Sequence, residues 1–256
     1  MHYLPIDKVK ILSCLVAILS CFMLTCNAPN ESTIKVAVAS NARFALEELA
    51  AMYTKQSGYK VELIVSSSGK LTAQILEGAP FDVFLSADLD YPNELFNQGK
   101  ATHKPVVYAY GTLGLWTTND DIEIGLQELE NETIRHIACA NPKTAPYGRA
   151  TIEVLNNLEL YEAISEKLIF GESVSQVSQF VYSKAADVGF ISSSIAKAKG
   201  KGRWFAIDSN LYSPISQGAV VIKQDHKDRT VATQFLKFLA SEDAEVVLKE
   251  YGYRIK

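Results

Sequence analysis

The chain has 256 residues, 48% of them hydrophobic and 21% charged, with a formal net charge of −4 and a pI near 5.7. That composition suits a globular protein with ample surface to bury, as one large domain or two smaller ones. The mildly acidic balance argues against nucleic acid or anionic lipid as the main partner, and it gives an anion no long-range steering, so an anion site must work through local dipoles.

The first ten residues carry Lys8 and Lys10, and residues 11–24 are almost wholly apolar. This is a secretory pattern, with an apolar stretch too short to span a bilayer comfortably. Residues 1–28 are read as a signal peptide, or as a lipoprotein signal ending before Cys26 or Cys21. The expected location is the periplasm, or a lipid anchor at the outer face of the cytoplasmic membrane. Three of the four cysteines lie in this leader. Cys139, inside the apolar run Ile137-Ala138-Cys139-Ala140, reads as a small buried hydrophobe with no body cysteine to pair with.

From Thr33 onward, short strands alternate with longer helices. Strands are predicted over 34–39, 59–65 and 83–85, with helices over 42–57 and 71–76, and Gly58 as a helix stop. Residues 106–116 read as one long apolar strand, suited to crossing between lobes. The rhythm then restarts with strands over 134–140, 167–170 and 187–191 and helices over about 149–157 and 175–183. A second apolar stretch, 216–223, is expected to carry the chain back, and 230–251 to close as one amphipathic helix. The fold class expected is α/β, with two lobes joined by two crossing strands. Lobe 1 would comprise 33–109 plus 212–256, and lobe 2 would comprise 110–211. Ligands of open α/β sheets sit beyond the carboxyl ends of the strands, and two lobes joined in this way can close as on a hinge.

Four polar turns fall at such strand ends: Ser40-Asn41, Ser67-Ser68-Gly69, Ala145-Pro146-Tyr147-Gly148 and Glu172-Ser173-Val174. Each could open a helix, whose first N–H groups are unpaired and carry a partial positive charge. Taken singly, Ser and Asn at these places also serve as helix caps. The enzyme signatures are incomplete. Ser67-Ser68-Gly69-Lys70 matches S-x-x-K without the accompanying S-D-N or K-T-G elements, and Gly69-Lys70 lacks the remainder of a P-loop. His2, His103, His136 and His226 show no metal-ligand spacing. Asp82, Asp88 and Asp90 are best read as turn and capping residues.

Several segments together resemble one family. They are Ala39-Ser40-Asn41, Ser67-Ser68-Gly69-Lys70, the run from Gly78-Ala79-Pro80 to Ser86-Ala87-Asp88, and Asn141-Pro142-Lys143-Thr144-Ala145-Pro146-Tyr147-Gly148. Ser173-Val174-Ser175-Gln176, Val188-Gly189-Phe190-Ile191 and Tyr251-Gly252-Tyr253 agree. In this the chain resembles the periplasmic molybdate-binding proteins of ABC importers, in order over nearly all of 34–256. The resemblance implies the two-lobed type II periplasmic-binding-protein fold and a receptor, not an enzyme, that holds molybdate or tungstate in the interlobe cleft. It further implies no cofactor, no directly bound metal, a monomer, and delivery to an ABC permease in the inner membrane. Carried over by position, the oxyanion contacts would be Ser40 and Ser68 through hydroxyl and N–H, Asn41 and Val174 through N–H, and Tyr147 through N–H or phenol. One branch of the family places a ligand tyrosine where this chain has Ser192. Arg149 departs from the apolar residue common at its position, and facing the cleft it would add a cation. A dianion that only accepts hydrogen bonds suits a cage of neutral donors, whereas hydrogen phosphate would want an acceptor. A sulfate-like anion is the alternative guest, and a serine acyl enzyme using Ser67 and Lys70 the remote one.

Overall fold

The computed structural model describes residues 33–224 and 229–255. The leader, its cysteines and its cleavage point lie outside the described residues, as does His226. Among the described residues, ten strands form two five-stranded sheets.

In the first sheet the order is β2 (Lys60–Ser66), β1 (Thr33–Ala39), β3 (Val83–Leu85), β10 (Ile215–Val221) and β4 (Val106–Gly111). β1 runs parallel to β2 and β3, while β10 is antiparallel to β3 and β4. Helices cover both faces, so the central strand β3 and the end of β1 are buried and apolar on both sides. Val36 and Val38 pack on one side with α1 (Arg43–Ser57), α8 (Thr230–Leu239) and α9 (Glu242–Glu250). Ala37, Phe84 and Val220 pack on the other with α2 (Ser68–Leu76) and α3 (Asp90–Asn97). This is the two-residue alternation of a pleated strand turned into two cores.

The second sheet runs β7 (Leu168–Gly171), β6 (Ile137–Ala140), β8 (Val188–Ser192), β5 (Leu113–Thr117) and β9 (Arg203–Ala206). It carries α4 (Pro146–Asn157), α5 (Tyr161–Ile164), α6 (Val174–Tyr182) and α7 (Ser193–Lys199). Cys139 is fully buried in its core. Burial pushes the thiol up to about 12. Each sheet with its helices forms a lobe, giving the α/β two-lobed architecture expected.

Several elements differ in detail from expectation. The strand predicted over 106–116 breaks at Thr112 into β4 and β5, which belong to different sheets, so the crossing falls at the break. The stretch predicted over 216–223 is β10, wholly within the first sheet, and the chain returns through 207–214 just before it. The helix predicted over 230–251 is two helices, because Ser241 accepts from the Ala244 N–H at 3.3 Å and starts α9 afresh. Val246 in α9 faces outward, at 55% exposed. Helix α3 escaped prediction. Its Pro92 lies in the first turn, where the missing N–H costs nothing, but in sequence it reads as a breaker. Gly58 ends α1 at φ 76°, with its N–H on Thr54 O, as read.

Candidate functional site

The four polar turns follow four parallel strands. β1 ends into a 3-10 turn, Ser40–Ala42, and β2 ends at Ser66 just before α2. β6 leads to α4, and β7 leads to α6. Together they wall a cavity lined by Ala39, Ser40, Asn41, Ser67, Ser68, Ala87, Ala145, Pro146, Tyr147 and Val174. All five predicted contact residues therefore meet at one place. The cavity has about 10 Å³ open to the centre of a water-sized sphere, so only a compact guest fits. Larger grooves exist: the 540 Å³ one bounded by Ile124, Leu126, Leu158, Leu160 and Phe205 is mainly apolar, and the 380 Å³ one lined by Asp88, Asp90, Arg149 and Glu153 is charged.

The donors are local consequences of chain direction. Pro146 fixes the first turn of α4 without needing an N–H, and Tyr147 follows with one that has no intrahelical carbonyl to reach. Val174 is in the same situation at the first residue of α6, where the Ser173 hydroxyl caps Gln176 N at 3.4 Å. Ser68 behaves differently from a cap. Its Oγ accepts from Ala87 N at 3.0 Å, so its own proton is left to point elsewhere. The Ser67 hydroxyl, at the start of α2, has no hydrogen-bond partner at all. Asn41 Oδ1 and Tyr147 Oη are likewise buried and unpartnered, although the two side chains lie close together. The Ser67 hydroxyl, orphaned at the cavity wall, calls for a polar guest. The lining contains neither a carboxylate nor a cation.

Behind the cavity lies a buried polar network. Asn41 Nδ2 donates to Gln217 Oε1 at 2.7 Å and to Tyr253 Oη at 2.9 Å. Tyr253 Oη donates to Ser194 Oγ at 3.3 Å, and Ser194 Oγ donates to Asn41 O at 2.6 Å. The Tyr147 ring reaches back from α4 to pack against Gly111 at the crossing between lobes. Burial, with Tyr253, Tyr212 and Tyr108 nearby, pushes its phenol well above the ordinary value, so it stays neutral. Ser192 sits at the head of α7, with its hydroxyl on Ser194 Oγ at 2.9 Å and accepting from Ile195 N.

The lobes touch across this site. Ser175 Oγ donates to Ser40 O at 3.2 Å, Gly69 N to Thr144 O at 2.9 Å, and Tyr91 Oη to Lys143 O at 3.2 Å. Arg149 stays out of the cavity lining and pairs with Asp88. Burial raises the Asp88 carboxyl, while the Ser86 hydroxyl and Arg149 pull it down by less. Asp82 accepts from Lys35 N at 2.8 Å, and Asp88 accepts from Ser86 Oγ and Tyr91 N, which are the structural roles read for them. The S-x-x-K pair does not assemble, since Lys70 Nζ is held by Glu172 at 2.6 Å and Ser67 Oγ bonds to nothing. Among the described residues no cluster of three or more His, Cys, Asp or Glu is placed to hold a metal. Sequence reasoning missed Gln217, Tyr253 and Ser194. The signal for Gln217 was a lone amide inside an apolar strand.

A family model described as bacterial extracellular solute-binding protein matches residues 34–254. The chain belongs to that family. A molybdate-binding protein of Rhodobacter capsulatus is 36% identical over 218 residues, covering 85% of this chain and 86% of the relative. The solved structure of the Azotobacter vinelandii periplasmic molybdate-binding protein is also 36% identical. It covers 87% of this chain and 99% of its own, with a TM-score of 0.82. A sulfate-binding protein of Mycobacterium tuberculosis superposes at TM-score 0.73 but is 13% identical, over 87% of this chain and 86% of its own. That likeness concerns the fold alone.

Proposed function

We propose that this protein is the receptor of an ABC importer, capturing molybdate or tungstate between its lobes and delivering it to a membrane permease. The observation that carries the reading is the cavity at the ends of β1, β2, β6 and β7, lined by neutral donors and free of carboxylates. The 36% identity to molybdate-binding relatives supports it. Ser40 and Ser68 contribute hydroxyl and N–H, Asn41 and Val174 contribute N–H, and Tyr147 contributes its N–H with the phenol behind. The first turns of α2, α4 and α6 add partial positive charge without a counter-proton. A donor-only cage favours a guest that arrives fully deprotonated, and it leaves the proton of hydrogen phosphate without an acceptor.

The lobes are assigned as 33–109 plus 212–256 and 110–211. Membership of β4 and β10 in one sheet and β5 in the other supports a division close to these bounds, with Tyr110 and Gly111 still paired in the first sheet. The protein is read as an exported monomer without enzymatic activity, free in the periplasm or lipid-anchored, and not bound to nucleic acid. Calorimetric titration with molybdate, tungstate, sulfate and phosphate tests the ligand, with the fluorescence of Trp116 and Trp204 followed in parallel. Saturable binding of molybdate or tungstate well ahead of sulfate is expected. Saturable sulfate or phosphate binding without a molybdate response refutes the reading.

A further inference from the structure

Building on the receptor reading above, we infer that Arg149 is a closure clasp: it holds the lobes shut by gripping Asp88 and Tyr91, and thereby sets how long the ligand stays. Arg149 projects from α4 of the second lobe, one helical turn from the cavity wall. Its Nη2 meets Asp88 Oδ2, which follows β3 of the first lobe, and also lies 3.7 Å from Asp90 Oδ2. Its Nη1 donates to Tyr91 Oη at 3.4 Å, and the guanidinium sits 5.2 Å from the centre of the Tyr91 ring. Tyr91 itself reaches back across the cleft to Lys143 O.

The arrangement suits a latch more than a ligand. The guanidinium fork is engaged with two carboxylates and one aromatic face, so its charge is neutralised before it could serve an anion. Its partners all belong to the first lobe, so the contact exists only while the lobes are together. The Asp88 side chain is 13% exposed and that of Arg149 is 34%, so the pair is partly shielded from solvent. The second pair across the lobes, Lys70 with Glu172, is 42% and 69% exposed and contributes little by comparison. Closure contacts act on release, because a bound anion leaves only after the lobes part, while capture by the open form does not use them.

The test measures molybdate association and release by stopped-flow fluorescence on the wild type, Arg149→Ala, Asp88→Asn and the double variant. Arg149→Ala and Asp88→Asn should each speed release about tenfold and leave association within about threefold, because charge-assisted contacts of this partly exposed kind are worth about that. The double variant should be no worse than the more severe single one. Added salt should speed release from the wild type more than from the variants. Circular dichroism melts of the ligand-free proteins control for folding, and Arg149→Met, which keeps the stem, substitutes if Arg149→Ala melts early. Arg149→Ala weakening binding while Asp88→Asn leaves it intact would mean that Arg149 serves the anion directly, which overturns the clasp. Unchanged release in both variants also overturns it, with the receptor reading intact. A wild type that ignores molybdate instead overturns the receptor reading and the clasp with it.

Discussion

Gly69→Ala separates closure from folding, because the two should move in opposite directions. Gly69 lies in the first turn of α2, and its N–H donates across the cleft to Thr144 O at 2.9 Å. A methyl group here would stand 2.6 Å from Tyr91 Oη and 3.0 Å from Thr144 Cα. The tyrosine can swing, but only by giving up its bond to Lys143 O, and the backbone of Thr144 has less freedom. The closed state therefore loses one hydrogen bond, about 1 kcal/mol, and takes on overpacking of about 1–2 kcal/mol. A total of about 2–3 kcal/mol corresponds to roughly 30- to 150-fold weaker binding. The ligand-free chain gains instead, since alanine in a helix is favoured over glycine by about 0.5–1 kcal/mol, less in a first turn. Calorimetry with molybdate gives the first quantity and urea unfolding without ligand gives the second. Affinity within threefold of wild type, or stability falling together with affinity, would refute the reasoning.

Asn41→Ala removes the amide that supplies Gln217 and Tyr253, leaving two buried acceptors short of a donor. The expected loss is about 2–3 kcal/mol of folding stability by urea titration, whatever happens to binding, and a loss under about 0.5 kcal/mol counts against the network. Ser68→Ala deletes a hydroxyl whose proton is free for a guest. Molybdate binding should weaken about tenfold while urea stability falls by only about 1 kcal/mol, from the unpaired Ala87 N–H; unchanged affinity would remove Ser68 from the cage. Cys139, fully buried and with its thiol pushed up to about 12, should resist iodoacetamide at pH 8 and react once urea unfolds the chain. Mass detection of the modified Cys139 peptide under native conditions would contradict this.

Much of the fold was legible because its signals are local. Gly58 stops α1, the Pro146-Tyr147 start opens α4, and the βα rhythm yields strands β1, β2, β3, β6, β7 and β8 near their observed places. Breaks inside apolar runs were not legible. Thr112 divides β4 from β5 because its neighbours pair with different sheets, and Ser241 divides α8 from α9 because its hydroxyl caps the next turn. Helix α7 and strand β9 escaped notice too, being short and held mainly by packing on the second sheet.

The candidate cage follows the same division. The four polar turns were legible in the sequence, because helix starts after strands are written in a few adjacent residues, whereas the choice of Ser40, Asn41, Ser68, Tyr147 and Val174 within them came from the family resemblance. What those residues are free to do was decided only in three dimensions. The Ser68 hydroxyl is committed as an acceptor to Ala87, the Asn41 amide is tied into a network reaching Tyr253, and Arg149, doubtful in sequence, is turned onto Asp88. Those partners lie 19, 212 and 61 positions away along the chain. Turn chemistry reads out over three or four residues, whereas the direction of a proton or a charge depends on which distant group the fold brings beside it.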